Sequence, residues 1–133
     1  MPSRRLSHSA RGVVVAAVLL AACGDRAGGD RAGAPLARVA GGDAVRGAHA
    51  LVAYGCGSCH VIPGIDGASG SAAAPLDAFG RRTTIAGEAI NAPDELVAWI
   101  MHPQAIAPGT AMPELGVRTG DARDIAAYLY TLR

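Results

Sequence analysis

Two cysteines and a histidine lie close together near the middle of the chain, as Cys56-Gly57-Ser58-Cys59-His60. Thiols with this spacing can form thioether bonds to the two vinyl groups of a porphyrin. A histidine directly after the second thiol is then held beneath the iron as an axial ligand. The C-x-x-C-H pattern therefore predicts one covalently attached haem c, with Cys56 and Cys59 as its anchors and His60 as the first iron ligand.

Two other uses of a C-x-x-C pair fit the sequence less well. A structural zinc site needs four ligands, and the only other cysteine, Cys23, follows an apolar run near the N-terminus, where it cannot complete a set of thiolates. A thioredoxin-type pair follows a strand and opens a helix, whereas the residues before Cys56 have a helical pattern. Haem attachment is the better interpretation.

The N-terminal residues predict export. Arg4, Arg5 and Arg11 precede an apolar stretch over residues 12–22, about half the length needed to span a bilayer. The stretch ends in Leu-Ala-Ala-Cys at 20–23, which resembles a bacterial lipobox, whose cysteine is acylated and begins the mature chain. We expect residues 1–22 to be a lipoprotein signal peptide and Cys23 to be the lipidation site. Ordinary cleavage nearby and an uncleaved signal anchor are the alternatives.

Residues 23–40 have a different composition from the rest of the chain. They are mostly Gly, Ala, Asp and Arg, without aromatic residues or a sustained apolar period, so they are predicted to be a disordered membrane tether. Residues 1–40 contain six Arg and two Asp, whereas residues 41–133 contain six Arg and nine Asp or Glu. The chain has no lysine, so it has neither a lysine ring for docking nor a surface suited to nucleic acid.

Residues 41–133 are enough for one small domain, in which a haem would supply much of the apolar interior. A first helix is predicted from a cap at Asp43 to about residue 54. Its apolar positions are Val45, Ala48, Leu51 and Val52.

Two more helices follow from start and stop signals. One is predicted over residues 94–102, begun by Pro93 and stopped by Pro103, and the last over residues 121–132, with Thr119 as its N-cap. A patch of small residues, Gly47 and Ala48, on the first helix would allow a close crossing with the last.

Residues 41–133 resemble a class I c-type cytochrome domain, close to the variety found both free and fused to subunit II of haem-copper oxidases. The matching segments are CGSCH at 56–60, NAPDEL at 91–96 leading to Trp99, PGTAMP at 108–113 and the apolar stripe at 125–129. The resemblance implies an all-α cytochrome c fold, with three to four helices around one covalent haem. No copper-binding domain or transmembrane hairpin is evident in the sequence, which favours a stand-alone carrier.

Met112 is predicted as the sixth iron ligand. A neutral thioether opposite a histidine favours ferrous iron and raises the reduction potential. Met112 lies on a loop of prolines and glycine, which can bring a side chain over a flat ring without imposing a helical direction. Of its competitors, Met101 lies within a predicted helix, His102 directly precedes a proline, and His49 lies on the first helix.

The resemblance also implies residues around the two ligands. In the family a proline carbonyl within G-P-x-L accepts the proximal histidine N–H, and this position falls on Ala74 in the segment AAPL at 73–76. This segment lacks the Gly and the Pro at their usual places, so the sequence does not determine the path of the loop. Side chains implied to contact a haem propionate or the Met112 sulfur are Arg81 or Arg82, Trp99 and Thr110.

The predicted function is that of a membrane-tethered, monomeric electron carrier without substrate chemistry. It would pass single electrons between respiratory partners, such as a quinol-oxidising complex and a terminal oxidase, at the periplasmic face of a bacterial membrane. A haem peroxidase or gas-binding cytochrome is the alternative, and it would need an open sixth position. A structural haem subunit of a larger complex is a third interpretation.

Overall fold

A computed structural model describes Met1 and residues 37–133. The rest of the predicted signal peptide, the lipidation site Cys23 and most of the predicted tether lie outside the described residues. From residue 37 onward the chain belongs to one compact unit, Ala34–Arg133. Val39, which precedes the predicted boundary at residue 41, is only 7% exposed and packs in the core.

The described residues form four α-helices: α1 (Ala44–Ala53), α2 (Pro93–Met101), α3 (Pro103–Ile106) and α4 (Thr119–Leu129). Short 3-10 turns occur at Cys56–Ser58 and Phe79–Arg81. An antiparallel hairpin joins β1 (Thr84–Ile85) to β2 (Ala89–Ile90), with Thr84 opposite Ile90. The predicted all-α class is confirmed, whereas the hairpin and α3 were not predicted.

The cap of α1 is confirmed, but part of its predicted apolar face is wrong. The Asp43 carboxylate accepts the N–H of Arg46 at 2.8 Å, which satisfies a free donor of the first turn. Val45 and Val52 are 70% and 62% exposed, whereas Gly47 and Leu51 are buried. The buried face is set by the close approach of α4 at Gly47, which confirms the predicted crossing of the first and last helices at the small-residue patch.

Helices α1 and α4 touch backbone to backbone at this glycine. A Cβ at Gly47 would lie 2.0 Å from the carbonyl oxygen of Asp124. Beside this contact, the Asp124 carboxylate, 8% exposed, accepts the N–H of Asp43 at 2.7 Å and two guanidinium bonds from Arg46 at 2.7 and 2.8 Å. These bonds join the start of α1 to the middle of α4.

The ends of the other helices differ in part from the prediction. Helix α2 carries Pro93 at its start and ends at Met101, close to the predicted bounds. Thr119 is the first residue of α4 and not its N-cap, which is Arg118 in an extended conformation without a side-chain cap bond. Helix α4 ends at Leu129 and not at 132, because the next residues form tight turns in which Thr131 N–H donates to Tyr128.

The core is formed by buried side chains of α1, α2 and α4 together with buried residues of the loops between them, such as Ile62 and Val117. None of the described helices is long and apolar enough to cross a membrane. The larger buried apolar side chains are Leu51, Ile62, Phe79, Ile85, Leu96, Trp99, Ile100, Val117, Ile125, Leu129 and Tyr130.

Candidate haem site

The C-x-x-C-H motif forms a single tight turn directly after α1. Gly55 reverses the chain with a φ of 70°, a conformation that favours glycine. The Cys56 carbonyl then accepts the N–H of Cys59 at 3.3 Å and of His60 at 3.1 Å. Both thiols are half-buried and free of any disulfide. The turn therefore gathers the two predicted anchors and the predicted iron ligand within five residues.

The following loop packs tightly against this turn. Gly70 N–H donates to the Gly57 carbonyl at 3.0 Å. A Cβ at Gly70 would lie 2.3 Å from the Ser58 carbonyl oxygen, so only glycine allows this approach. A Cβ at Gly57 would likewise lie 2.7 Å from Ala68. Two glycines with no obvious chemical role thus fold residues 62–70 back onto the motif.

Two backbone bonds fix the segment that carries the predicted histidine partner. Ala73 N–H donates to the Cys59 carbonyl at 3.0 Å, and Leu76 N–H donates to the Val61 carbonyl at 2.8 Å. Ala74 lies between these two bonds. These two bonds give the loop a defined path, even though the Gly and the Pro of the family pattern are not at their usual positions.

His60 Nδ1 lies 2.7 Å from the Ala74 carbonyl oxygen. Because a carbonyl can only accept, Nδ1 carries the proton and donates it, and Nε2 keeps its lone pair. A backbone acceptor of this kind fixes the tautomer and the orientation of a metal-binding imidazole. The arrangement suits His60 as an iron ligand through Nε2.

Burial changes the acidity of one anchor thiol. Loss of solvation raises the pKa of the Cys56 thiol above its usual value, and the nearby Cys59 acts in the same direction, against a smaller opposing effect of a backbone hydrogen bond. The Cys56 thiol therefore stays protonated at neutral pH in the apoprotein.

The two predicted propionate partners differ in their surroundings. The Arg82 guanidinium donates through Nη2 to the carbonyls of Pro75 and, at 3.1 Å, Asp77, and it lies 5.3 Å from the centre of the Phe79 ring. The exposed Arg81 side chain has no hydrogen bond or ion pair to a described residue. Arg82 thus supports the loop next to Ala74, and a propionate contact by either arginine stays a prediction.

An amide was missed by sequence reasoning on this side of the site. Asn91 donates through Nδ2 to the carbonyls of Phe79 and Arg82 at 3.1 and 3.0 Å, and it accepts the Tyr130 hydroxyl at 2.9 Å. It thereby joins α4 to the backbone of Arg82. No sequence signal identifies such a role, because its partners are backbone carbonyls and a tyrosine hydroxyl 9 to 39 residues away.

The predicted sixth ligand lies on the loop between α3 and α4. Met112 is half-buried and packs against the core. Its N–H donates to the Thr110 hydroxyl at 3.4 Å, and its carbonyl accepts Gln104 Nε2 at 2.7 Å. The Thr110 hydroxyl therefore shapes the loop, and its predicted propionate contact stays a prediction. Gln104 was also missed by sequence reasoning.

The other candidate side chains lie in the core or at the surface. Trp99 is buried in the core, and its contact with the Met112 sulfur or a haem propionate stays a prediction. Met101 packs against the core. His102 is exposed and faces Glu114 at 3.9 Å, and His49 is exposed on α1.

The residues present fit a covalently attached haem. They supply two free thiols in one turn, an imidazole with Nε2 available and a neutral thioether, which is the donor set that haem c uses. Several apolar side chains of the domain are only partly buried although they pack on the core, so a flat apolar group has surface left to cover. These partly buried residues include Cys56, Ile65, Leu76, Met101, Ile106 and Met112.

Comparisons with known proteins agree with this chemistry. The family model described as Cytochrome c matches residues 44–133. Cytochrome c oxidase subunit 2 of Alkalihalophilus pseudofirmus is 36% identical over 80 residues, which make up 59% of this chain and 22% of that protein. No solved structure matches the chain. The family match covers the motif turn, the Ala74 segment and the Met112 loop, and the chain belongs to the cytochrome c family, in which covalently bound haem transfers electrons.

Proposed function

We propose that this protein is a monohaem electron carrier of a respiratory chain, with His60 and Met112 as the axial ligands of its iron. The observation that carries the proposal is the 2.7 Å contact between His60 Nδ1 and the Ala74 carbonyl. It orients the imidazole directly after the two anchor thiols and leaves Nε2 as its metal-binding atom.

The chain's own residues hold and tune the cofactor. When bound, haem supplies a one-electron Fe(III)/Fe(II) couple. Cys56 and Cys59 fix its position, and His60 is kept in one tautomer by Ala74. Met112 favours the ferrous state because a thioether is neutral and polarisable. His60 and Met112 would together hold the iron and leave a substrate no place to bind it, so we propose no enzymatic activity.

The partners we propose are a quinol-oxidising complex as donor and a terminal oxidase as acceptor. The similarity to a cytochrome c oxidase subunit 2 supports the second, although the chain spans 22% of that protein. Residues 41–133 carry six Arg against nine Asp or Glu and no lysine. Docking to either partner would therefore not depend on a ring of lysines.

We further propose that the protein is held at the periplasmic face of a bacterial membrane by a lipid on Cys23. The support is the arginine-rich start, the short apolar stretch and the Leu-Ala-Ala-Cys sequence at 20–23. Each buried methylene of an acyl chain contributes about 0.8 kcal/mol, so several chains hold a protein at a membrane without a spanning helix.

The test of the axial ligands compares two methionines. Ferric holoprotein should show the weak far-red charge-transfer band that reports methionine ligation in this family. Met112→Ala should abolish that band, lower the reduction potential and create peroxidase activity, because the iron then has an open position. Met101→Ala is the matched control and should change none of these. If the two variants exchange their behaviour, Met112 is not the ligand.

A further inference from the structure

The loop that carries Met112 has few polar contacts with the rest of the described residues, and one of them is the exposed pair of His102 and Glu114 at 3.9 Å. Residues 108, 109, 111 and 113–116 are exposed, and Gly109 has a φ of 88°. The loop's own bonds are local: Thr110 N–H donates to the Ala107 carbonyl at 3.0 Å, and Met112 N–H donates to the Thr110 hydroxyl. Local turns of this kind shape a loop but do not fix its place relative to the core.

One side chain outside the loop reaches the Met112 backbone. Gln104, in α3, donates through Nε2 to the Met112 carbonyl at 2.7 Å. Helix α3 follows α2 with only His102 between them, and α2 packs its buried residues Leu96, Trp99 and Ile100 in the core. Gln104 therefore connects the loop to the rigid part of the domain.

The amide of Gln104 can face the loop in one way only. With Nε2 toward Met112, its Oε1 is buried and has no hydrogen-bond partner among the described residues. Rotating the amide by half a turn would place Oε1 against the Met112 carbonyl oxygen, and two acceptors cannot bond. A buried amide oxygen without a partner lowers stability. An apolar side chain would avoid that cost, so the glutamine is explained by its bond to the loop.

We propose that Gln104 is a positioning residue for the sixth ligand: it holds the loop so that the Met112 thioether stays at its place. This inference rests on the proposed function, in which Met112 is that ligand. Without this bond the loop would carry Met112 away from the iron more often. External ligands could then bind the iron in place of the thioether.

The experiment titrates ferric holoprotein with imidazole and follows the absorption spectrum. An external ligand that competes with Met112 binds with its intrinsic affinity multiplied by the fraction of molecules in which the loop is open. The contribution of one uncharged hydrogen bond corresponds to about a 2- to 10-fold change in that fraction. Gln104→Leu should therefore bind imidazole about 2- to 10-fold more tightly than the unchanged protein.

Three further variants make the result specific. Gln104→Glu keeps the size of the side chain but cannot donate from an ionised carboxylate, and it should show the same increase even where the leucine variant folds poorly. Tyr128→Phe loses the hydroxyl bond to the Pro63 carbonyl at 2.7 Å, which joins α4 to the loop after the C-x-x-C-H turn and not to the Met112 loop. It should lower thermal stability and leave imidazole affinity unchanged. Met112→Ala should give the tightest imidazole binding of all.

The outcomes separate the two proposals. Unchanged imidazole affinity in both Gln104 variants, together with tight binding in Met112→Ala, would overturn the role of Gln104 and keep the ligand assignment. Equal increases in Tyr128→Phe and Gln104→Leu would also overturn it, because the effect would then follow general stability. Unchanged affinity in Met112→Ala would refute the ligand assignment, and the role of Gln104 would fall with it.

Discussion

Replacing Gly47 by alanine adds one methyl group at the backbone contact between α1 and α4, and so tests the packing of these two helices. The Cβ of an alanine there would lie 2.0 Å from the Asp124 carbonyl oxygen, 2.6 Å from its carbonyl carbon and 3.0 Å from the Tyr128 Cβ. Ordinary contacts of carbon are about 3.5 to 4.0 Å, so α1 and α4 would have to move apart by more than about 1 Å. A backbone carbonyl cannot rotate aside as a flexible side chain can.

The expected cost follows from two opposing effects. Overpacking a close contact costs about 1 to 3 kcal/mol, and a clash with backbone belongs at the upper end of that range. Replacing a helical glycine by alanine stabilises the helix by about 1 kcal/mol, because alanine has the higher helix propensity. Gly47→Ala should therefore lower the free energy of unfolding by about 2 kcal/mol. For a domain of this size that corresponds to a decrease in Tm of about 8 to 16 °C.

The assay is thermal unfolding of the holoprotein followed by far-ultraviolet circular dichroism, with Gly120→Ala as the matched control. Gly120 also lies in a helix, α4, but a Cβ there meets nothing within 4 Å. This control should be unchanged or more stable by up to about 1 kcal/mol. A Tm of Gly47→Ala at or above that of the unchanged protein would refute the backbone contact between the two helices.

Three more results are expected. The double variant Cys56→Ala with Cys59→Ala should contain no covalent haem by mass spectrometry, and retained covalent haem would reject the proposed attachment. The mature protein should begin at an acylated Cys23, and Cys23→Ala should move it out of the detergent phase with its haem spectrum unchanged; an unmodified N-terminus beyond residue 23 would exclude the lipid. The Arg46 guanidinium, and to a lesser extent the Asp43 N–H, hold the pKa of Asp124 below its ordinary value. The carboxylate therefore stabilises the fold fully above about pH 4, and this stabilisation is lost as the pH falls through the lowered pKa. Asp124→Asn should flatten the dependence of stability on pH in that acid range, and an unchanged dependence would contradict the assignment.

Features encoded by contiguous residues could be predicted from the sequence. The C-x-x-C-H motif, the Asp43 cap and the proline at the start of α2 depend on spacings of a few residues, and the structure has the cap and the helix start where they were expected. The acceptor for His60 followed from resemblance, and the contact with Ala74 is present. These positions work through backbone geometry, which the local sequence largely determines.

Features that depend on distant partners could not be predicted. The crossing of α1 and α4 at Gly47 was expected from the small-residue patch, but Val45 and Val52 were wrongly included in the apolar face of α1 from their hydropathy and are exposed. Thr119 has the chemistry of a cap, yet α4 already includes it as the first helical residue. Gln104 and Asn91 bond backbone carbonyls 8 to 12 residues away, and an amide in a sequence does not reveal such acceptors.

The two sides of the site are held with unequal strength, and this difference indicates where the site opens. On the proximal side, His60 follows the two anchor thiols directly, and the segment with its acceptor Ala74 is fixed by backbone bonds on either side. On the side of the proposed sixth ligand, Met112 lies on a largely exposed loop that Gln104 connects to α3. Local openings occur where few bonds connect a segment to the core. Ligand exchange should therefore begin by displacement of Met112, with His60 staying in place.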